Sequence, residues 1–204
     1  MFEALAQESL PAADEPMTLE AWAALPEDEP GELVDGLLVE EEMTNAVHEA
    51  MLARLTYILM GWAGAHGARV FGSGLKLAVR SDRGRIPDMS VYLAGAKRPP
   101  VEGPIRVPPS IVVEVVSSTP RDGRRDRIEK IDEYASFGIR WYWLVDPALE
   151  TFEIFELNER GRYERIALAT EGTMETIPGC EGLTLDVGAL WAEAAAVRAE
   201  GEAG

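Results

Sequence analysis

Between Ile111 and Val116 the chain reads Ile-Val-Val-Glu-Val-Val. β-Branched apolar residues on both sides of a glutamate are the pattern of a strand buried on both faces, as in a parallel or mixed sheet. A polar turn, "SSTPRDGRRD", follows, and then a helix from about Asp122 or Asp126 to Phe137, stopped by Gly138. "IRWYWLVDP" (139–147) is a second apolar strand. Strand, helix and strand in succession form a βαβ unit, whose two strands run parallel with a right-handed crossover. That unit commits the chain to an α/β fold. It also leaves Glu114 in an expensive place, because a buried carboxylate needs a metal, a cation or several donors. Glu114 is therefore either a functional carboxylate or an acid at a strand end with its oxygens in water.

The remaining elements are local. Thr18 caps a short helix, "TLEAWAAL", ended by Pro26. "GELVDGLLVEE" (31–41) is a hairpin turning on Asp35-Gly36. Asn45 caps a long helix reaching about His66, with Val47, Met51, Leu55, Ile58, Leu59 and Trp62 at helical spacing. "LKLAV" (75–79) and "IPDMSVYL" (86–93) read as strands, with "SDRGR" as the turn between them. "TFEIFEL" and "RYERIALA" pair as a hairpin across "NERG". We expect a loose acidic tail over 1–16, one domain over 17–192 and a helical or disordered tail over 193–204.

Charge is distributed unevenly. The net charge is −17, which argues against a protein that coats nucleic acid nonspecifically. Residues 1–53 hold 14 acids and no Lys or Arg, whereas Lys76 to Arg140 hold 13 basic against 9 acidic residues, a net of +4. The middle of the chain is the part suited to a polyanion. One cysteine, Cys180, rules out an internal disulfide framework and argues against a Cys-based zinc site. Apolar runs fall short of the ~20 residues of a membrane span, and the N-terminus lacks the basic start of a signal peptide. The expectation is a cytoplasmic protein.

Asp88 lies on a strand expected to neighbour that of Glu114. Two carboxylates converging on one spot repel unless a cation separates them, and Mg²⁺ favours one or two carboxylates with a carbonyl and waters. The alternative is that Asp88 is a turn residue beside Pro87 and never meets Glu114. Asp122, Asp126, Lys130 and Tyr134 step by four and share one helix face, so Lys130 can point where Glu114 points. There it would support phosphate chemistry; otherwise it forms an exposed pair with Asp126. Arg121, Arg124, Arg125 and Arg127 crowd the preceding turn, either to grip phosphates or as a solvated loop. Glu32 and His48 are weaker candidates, His48 being as readily a satisfied core residue. Trp141-Tyr142-Trp143 reads as packing rather than a base-stacking platform.

These pieces in this order resemble the Uma-type restriction-endonuclease family within the PD-(D/E)XK nuclease superfamily. The matching stretches are "ELVDGLLVE", His48 opening a helix, "PDMSVY", the run from "PPSIVVEVVSS" through "WYWLVDP", and "IPGCEGLTLDV"; they span about residues 17 to 190. The resemblance implies a restriction-endonuclease-like mixed β-sheet flanked by helices. It implies Mg²⁺ (or Mn²⁺) held by Asp88, Glu114 and the backbone carbonyl of Val115. The superfamily's lysine, two residues after the glutamate, falls at Val116 here, and Lys130 is the implied substitute. The expected function is metal-dependent hydrolysis of phosphodiester bonds in DNA, with Asp88, Glu114 and Lys130 catalytic and Glu32 binding or positioning a second metal. The rival is a catalytically silent nuclease-fold module for protein interaction or self-assembly. A homodimer or higher homo-oligomer is expected, because "IRWYWLVDP" and the next hairpin carry more apolar bulk than one small sheet obviously covers.

Overall fold

Alternating and continuous apolar strands need helices to cover them, and the chain supplies both in sequence. The computed structural model describes residues 16–26, 29, 31–39, 44–117 and 125–203. The expected acidic tail over 1–16 lies outside these residues except for Pro16, as do Arg121 and Arg124 and the side chain of Arg125.

The elements in order are α1 (Leu19–Ala23), β1 (Glu32–Val34), β2 (Leu37–Val39), α2 (Ala46–Ala63), β3 (Arg69–Phe71), β4 (Leu77–Arg80), β5 (Arg83–Arg85), β6 (Met89–Tyr92) and β7 (Ile111–Val115). A turn of π-helix (Arg125–Lys130) then leads into α3 (Ile131–Phe137). β8 (Trp141–Asp146), β9 (Thr151–Leu157), β10 (Tyr163–Ala169), β11 (Thr173–Met174), β12 (Leu185–Asp186) and α4 (Val187–Ala203) complete the chain. The caps are those the residue types demand: Thr18 accepts from the Ala21 N–H and Asn45 from the His48 N–H. Asp35 and Gly36 both take positive φ (53° and 78°), as the tight β1–β2 turn requires.

A six-stranded sheet runs β10-β9-β8-β7-β6-β3. Among the described strands of this sheet only β7 and β8 are parallel, paired from Ile111↔Trp141 to Val115↔Val145, as expected of the βαβ unit. Its one face meets α2 and α4 through Met51, Leu55, Val113, Trp143, Leu190 and Trp191. Its other face, through Val112, Tyr142 and Leu144, packs on Tyr134 of α3 and on Leu77 of a second, antiparallel sheet ordered β2-β1-β5-β4. Both faces of β7 and β8 are thus covered, which explains their uninterrupted apolar sequences.

Two expectations change. "SDRGR" is not only a turn: Arg83–Arg85 form β5, which pairs with both β1 and β4. Three residues with a central glycine carry no legible period. That glycine, Gly84, is needed because the Trp22 ring lies against its Cα. The apolar bulk of "IRWYWLVDP" is also absorbed within the chain, since Tyr142, Trp143, Leu144 and Val145 are fully buried. The hairpin that follows does leave Ile166 and Leu168 exposed, so the apolar surface that motivated self-association lies on β10 and not on that strand.

Candidate functional site

β6 and β7 are antiparallel, with Met89 opposite Val113. One step further along that register, Asp88 stands opposite Glu114. Asp88 Oδ2 accepts the Val115 backbone N–H at 2.7 Å and lies 3.2 Å from His48 Nε2 in the first turn of α2. The Asn45 cap fixes that turn and so aims His48 at the strand end. Burial pulls the His48 imidazole down, but the hydrogen bond and charge of Asp88 outweigh it and the net shift is upward. Asp88 Oδ1 accepts no hydrogen bond among the described residues.

Glu114 is buried and answered on both oxygens. Tyr134 donates its hydroxyl to Oε1 at 2.5 Å, and the Lys130 ammonium lies 3.0 Å from Oε2. Burial pushes the Glu114 carboxyl well up; Lys130 works against that, while the charges of Asp88 and Asp126 add to it. Lys130 itself is 3 % exposed, so it is not the exposed helix pair that spacing allowed. Besides Glu114, its Nζ meets Asp126 Oδ1 at 3.2 Å and Glu32 Oε1 at 3.8 Å. Burial alone would lower the Lys130 pKa; Asp126, Glu114 and Glu32 reverse this and hold it protonated well above its usual range. Lys130 lies where the π-turn passes into α3, and Val116, the position of the superfamily's lysine, is a core side chain.

Glu32, on β1, is buried. Arg85 donates to its Oε2 and the Ile86 N–H to its Oε1 at 3.1 Å. Arg85 is fully buried on β5 and also grips Glu133 of α3, Nε to Oε2 at 2.5 Å and Nη2 to Oε1 at 3.1 Å. Arg83 adds bonds to Glu133 Oε1 and Asp35 Oδ1, each at 2.6 Å. Sequence reasoning missed Arg85 and Glu133. The available signal was an arginine three residues before Asp88 and a glutamate one helical turn after Lys130.

The basic cluster is only partly described. Arg127 donates to Glu153 Oε1 at 2.6 Å and to Asp146 Oδ2 at 3.0 Å, which ties the π-turn to β8 and β9. Tyr142 and Trp143 lie in the core, and Arg140 stacks over the Trp141 ring at 4.8 Å.

The chemistry of two mutually repelling carboxylates, Asp88 and Glu114, with Asp88 Oδ1 accepting no hydrogen bond among the described residues, fits a hard divalent cation. Among the described residues no three of His, Cys, Asp and Glu group as metal ligands, so such an ion would lean on Asp88, Glu114, main chain and water. No described helix is long and apolar enough to cross a membrane.

A family model, Uma2, described as "Putative restriction endonuclease", matches residues 17–188. A crystal structure from Anabaena variabilis, titled a putative nuclease belonging to DUF820, superposes with a TM-score of 0.68 at 19 % identity. It covers 88 % of this chain and 99 % of that one, and it establishes the likeness of fold. Among curated proteins none matches the chain.

Proposed function

This chain belongs to the Uma2 family of restriction-endonuclease-like proteins, a nuclease family, and on that premise we propose that it hydrolyses phosphodiester bonds in DNA with Mg²⁺ or Mn²⁺. The observation that carries the reading is the meeting of Lys130 and Glu114, 3.0 Å apart, from two elements at the strand end where Asp88 also sits. Asp88, Glu114 and the Val115 carbonyl would hold the ion. A divalent ion there supplies Lewis acidity towards a phosphate oxygen and makes water a better nucleophile at neutral pH.

The chain's own residues then have separate tasks. His48 and the Val115 N–H orient the Asp88 carboxylate, and Tyr134 orients that of Glu114. Lys130, charged and pinned between acids, presents a fixed positive centre to the phosphate. Glu32 meets Arg85 and Lys130, so we assign it to positioning the lysine rather than to a second metal. Arg121, Arg124 and Arg125 are the proposed phosphate contacts, close in sequence to Lys130.

The test is cleavage of plasmid and branched DNA across a Mg²⁺ and Mn²⁺ titration, with Asp88→Asn as control. The reading expects nicks or breaks that chelator and Asp88→Asn both abolish. Absence of cleavage, with no DNA affinity at low salt in Ca²⁺, would leave the silent interaction module in its place.

A further inference from the structure

Helix α2 covers the sheet with one face and shows solvent the other. On that outer face Ala53, Tyr57, Met60, Gly61 and Gly64 fall on one stripe, the last in the 3₁₀ turn (Gly64–His66) that prolongs the helix. Tyr57 is 74 % and Met60 60 % exposed. The sequence has no Asp, Glu, Lys or Arg between Arg54 and Arg69. A solvent-facing helix surface ordinarily carries charge, and 27 % of this chain's residues are charged. Gly61 is a second anomaly, because a glycine inside an exposed helix is destabilising relative to alanine. Nothing among the described residues requires it: a Cβ added at Gly61, or at Gly64, meets no atom within 4 Å. Gly84 is the contrast, since there the Trp22 ring fills the space.

Knob and gap lie one helical turn apart, Tyr57 at i and Gly61 at i+4. A face carrying both is complementary to itself. An antiparallel second copy, related by a two-fold axis, sets each Tyr57 ring over the partner's Gly61, with Met60 near the axis. In that register Arg54 comes opposite the partner's Gly64, at the C-terminal end of the partner's α2. A helix end of that kind carries partial negative charge, and α2 has no basic residue in its last turn. The His66 ring beyond it lies stacked on Trp62, with Nδ1 at the Trp62 carbonyl. Among the described residues Arg54 meets no carboxylate; its guanidinium lies 5.9 Å from the centre of the Tyr57 ring. Two chains of net charge −17 repel each other, so an uncharged face is where they can approach. We propose that the outer face of α2 is a self-association surface that joins two copies of this chain as an antiparallel helix pair. The exposed Ile166 and Leu168 of β10 are the rival surface. They stand beside Glu164 and Arg165 and at a register shift between Arg165 and Ala167, features that blunt an edge strand. One helix pair buries less than the ~800 Å² per partner of a standard interface, so the association is weak and concentration-dependent.

The test is sedimentation of the full-length chain from low micromolar to sub-millimolar concentration. The parent should pass from monomer to dimer. Gly61→Gln fills the gap with a good helix former, so it should weaken the dimer by about 10-fold or more while preserving or raising the urea midpoint. Tyr57→Ala, which removes the knob, and Arg54→Glu, which sets an acid against the partner's helix end, should weaken the dimer too. Leu168→Gln should leave it unchanged. A parent that stays monomeric throughout overturns the proposal and leaves the face to a partner of other chemistry. So does a dimer that Leu168→Gln dissociates and Gly61→Gln does not. Should Tyr57→Ala lose stability, Gly61→Gln still decides, because its added atoms enter open space. None of these outcomes depends on whether the chain cleaves DNA.

Discussion

Lys130 and Glu114 form a buried ion pair, Nζ to Oε2 at 3.0 Å, although the lysine belongs to the helix that follows the glutamate's strand. Each side chain is 3 % exposed. The pair is therefore part of the interior and part of the proposed site at once.

Lys130→Ala should accordingly do more than stop cleavage. It leaves Glu114 and Asp126 buried without their shared cation, a change that costs about 3–5 kcal/mol in comparable cases. Spacing alone left open an exposed Asp126–Lys130 pair, worth a few tenths of a kcal/mol, whose loss would barely move the melting temperature. Urea denaturation of Lys130→Ala beside Lys130→Met/Glu114→Gln distinguishes the two: the double variant should regain stability without regaining activity. A single variant as stable as the parent would show that the pair is not buried in solution.

Asp88→Asn keeps an oxygen for the Val115 N–H and removes the charge. Calorimetric titration with Mn²⁺ should show binding in the parent and loss of it in the variant, with the melting temperature within a few degrees. Equal Mn²⁺ affinity in the two proteins would remove Asp88 from the metal site.

Glu153 makes acid stability predictable in sign. Burial raises its carboxyl, but hydrogen bonds from Arg127 and Arg165 outweigh this and its folded pKa lies below the unfolded one. A depressed acid contributes stability above its unfolded pKa and loses it as pH falls through the folded value. Glu153→Gln should thus be less stable than the parent at neutral pH, and the gap should close on acidification below the usual carboxylate range. Thermal melts from neutral pH downward measure this; a gap that widens with acid would contradict it.

Arg127 should behave unlike its neighbours in DNA binding. Its guanidinium is engaged by Asp146 and Glu153. Replacing Arg121, Arg124 or Arg125 by Ala should each flatten the slope of log affinity against log salt by about 0.9 unit. Arg127→Ala should lower stability and leave the slope nearly alone. A full-unit change in Arg127→Ala would make it a phosphate contact after all.

Gly84→Ala tests the packing beneath the site. A Cβ on β5 at this position would collide with the Trp22 ring, which is fully buried. Overpacking of this kind costs about 1–3 kcal/mol, readable as a lowered urea midpoint. An unchanged midpoint would mean that α1 can shift freely from β5.

Much of the fold follows from local sequence. Period and branching mark β7 and β8, Asp35-Gly36 marks the first hairpin, and Asn45 and Gly138 mark helix ends, because each depends on residues a few positions apart. The same locality put Asp126, Lys130 and Tyr134 on one helix face, which the structure turns towards Glu114. What sequence could not settle was which charges meet across elements. Glu32 and Arg85, Arg85 and Glu133, and Arg127 and Glu153 are held together by β1, β5, α3 and β9, separated along the chain by 53, 48 and 26 residues. No periodicity links such pairs. Burial decides them: once the sheets and helices pack, each interior charge must find a partner within reach. That demand made Arg85 a hub out of what reads as a turn, and it made Lys130 an interior residue rather than a surface one.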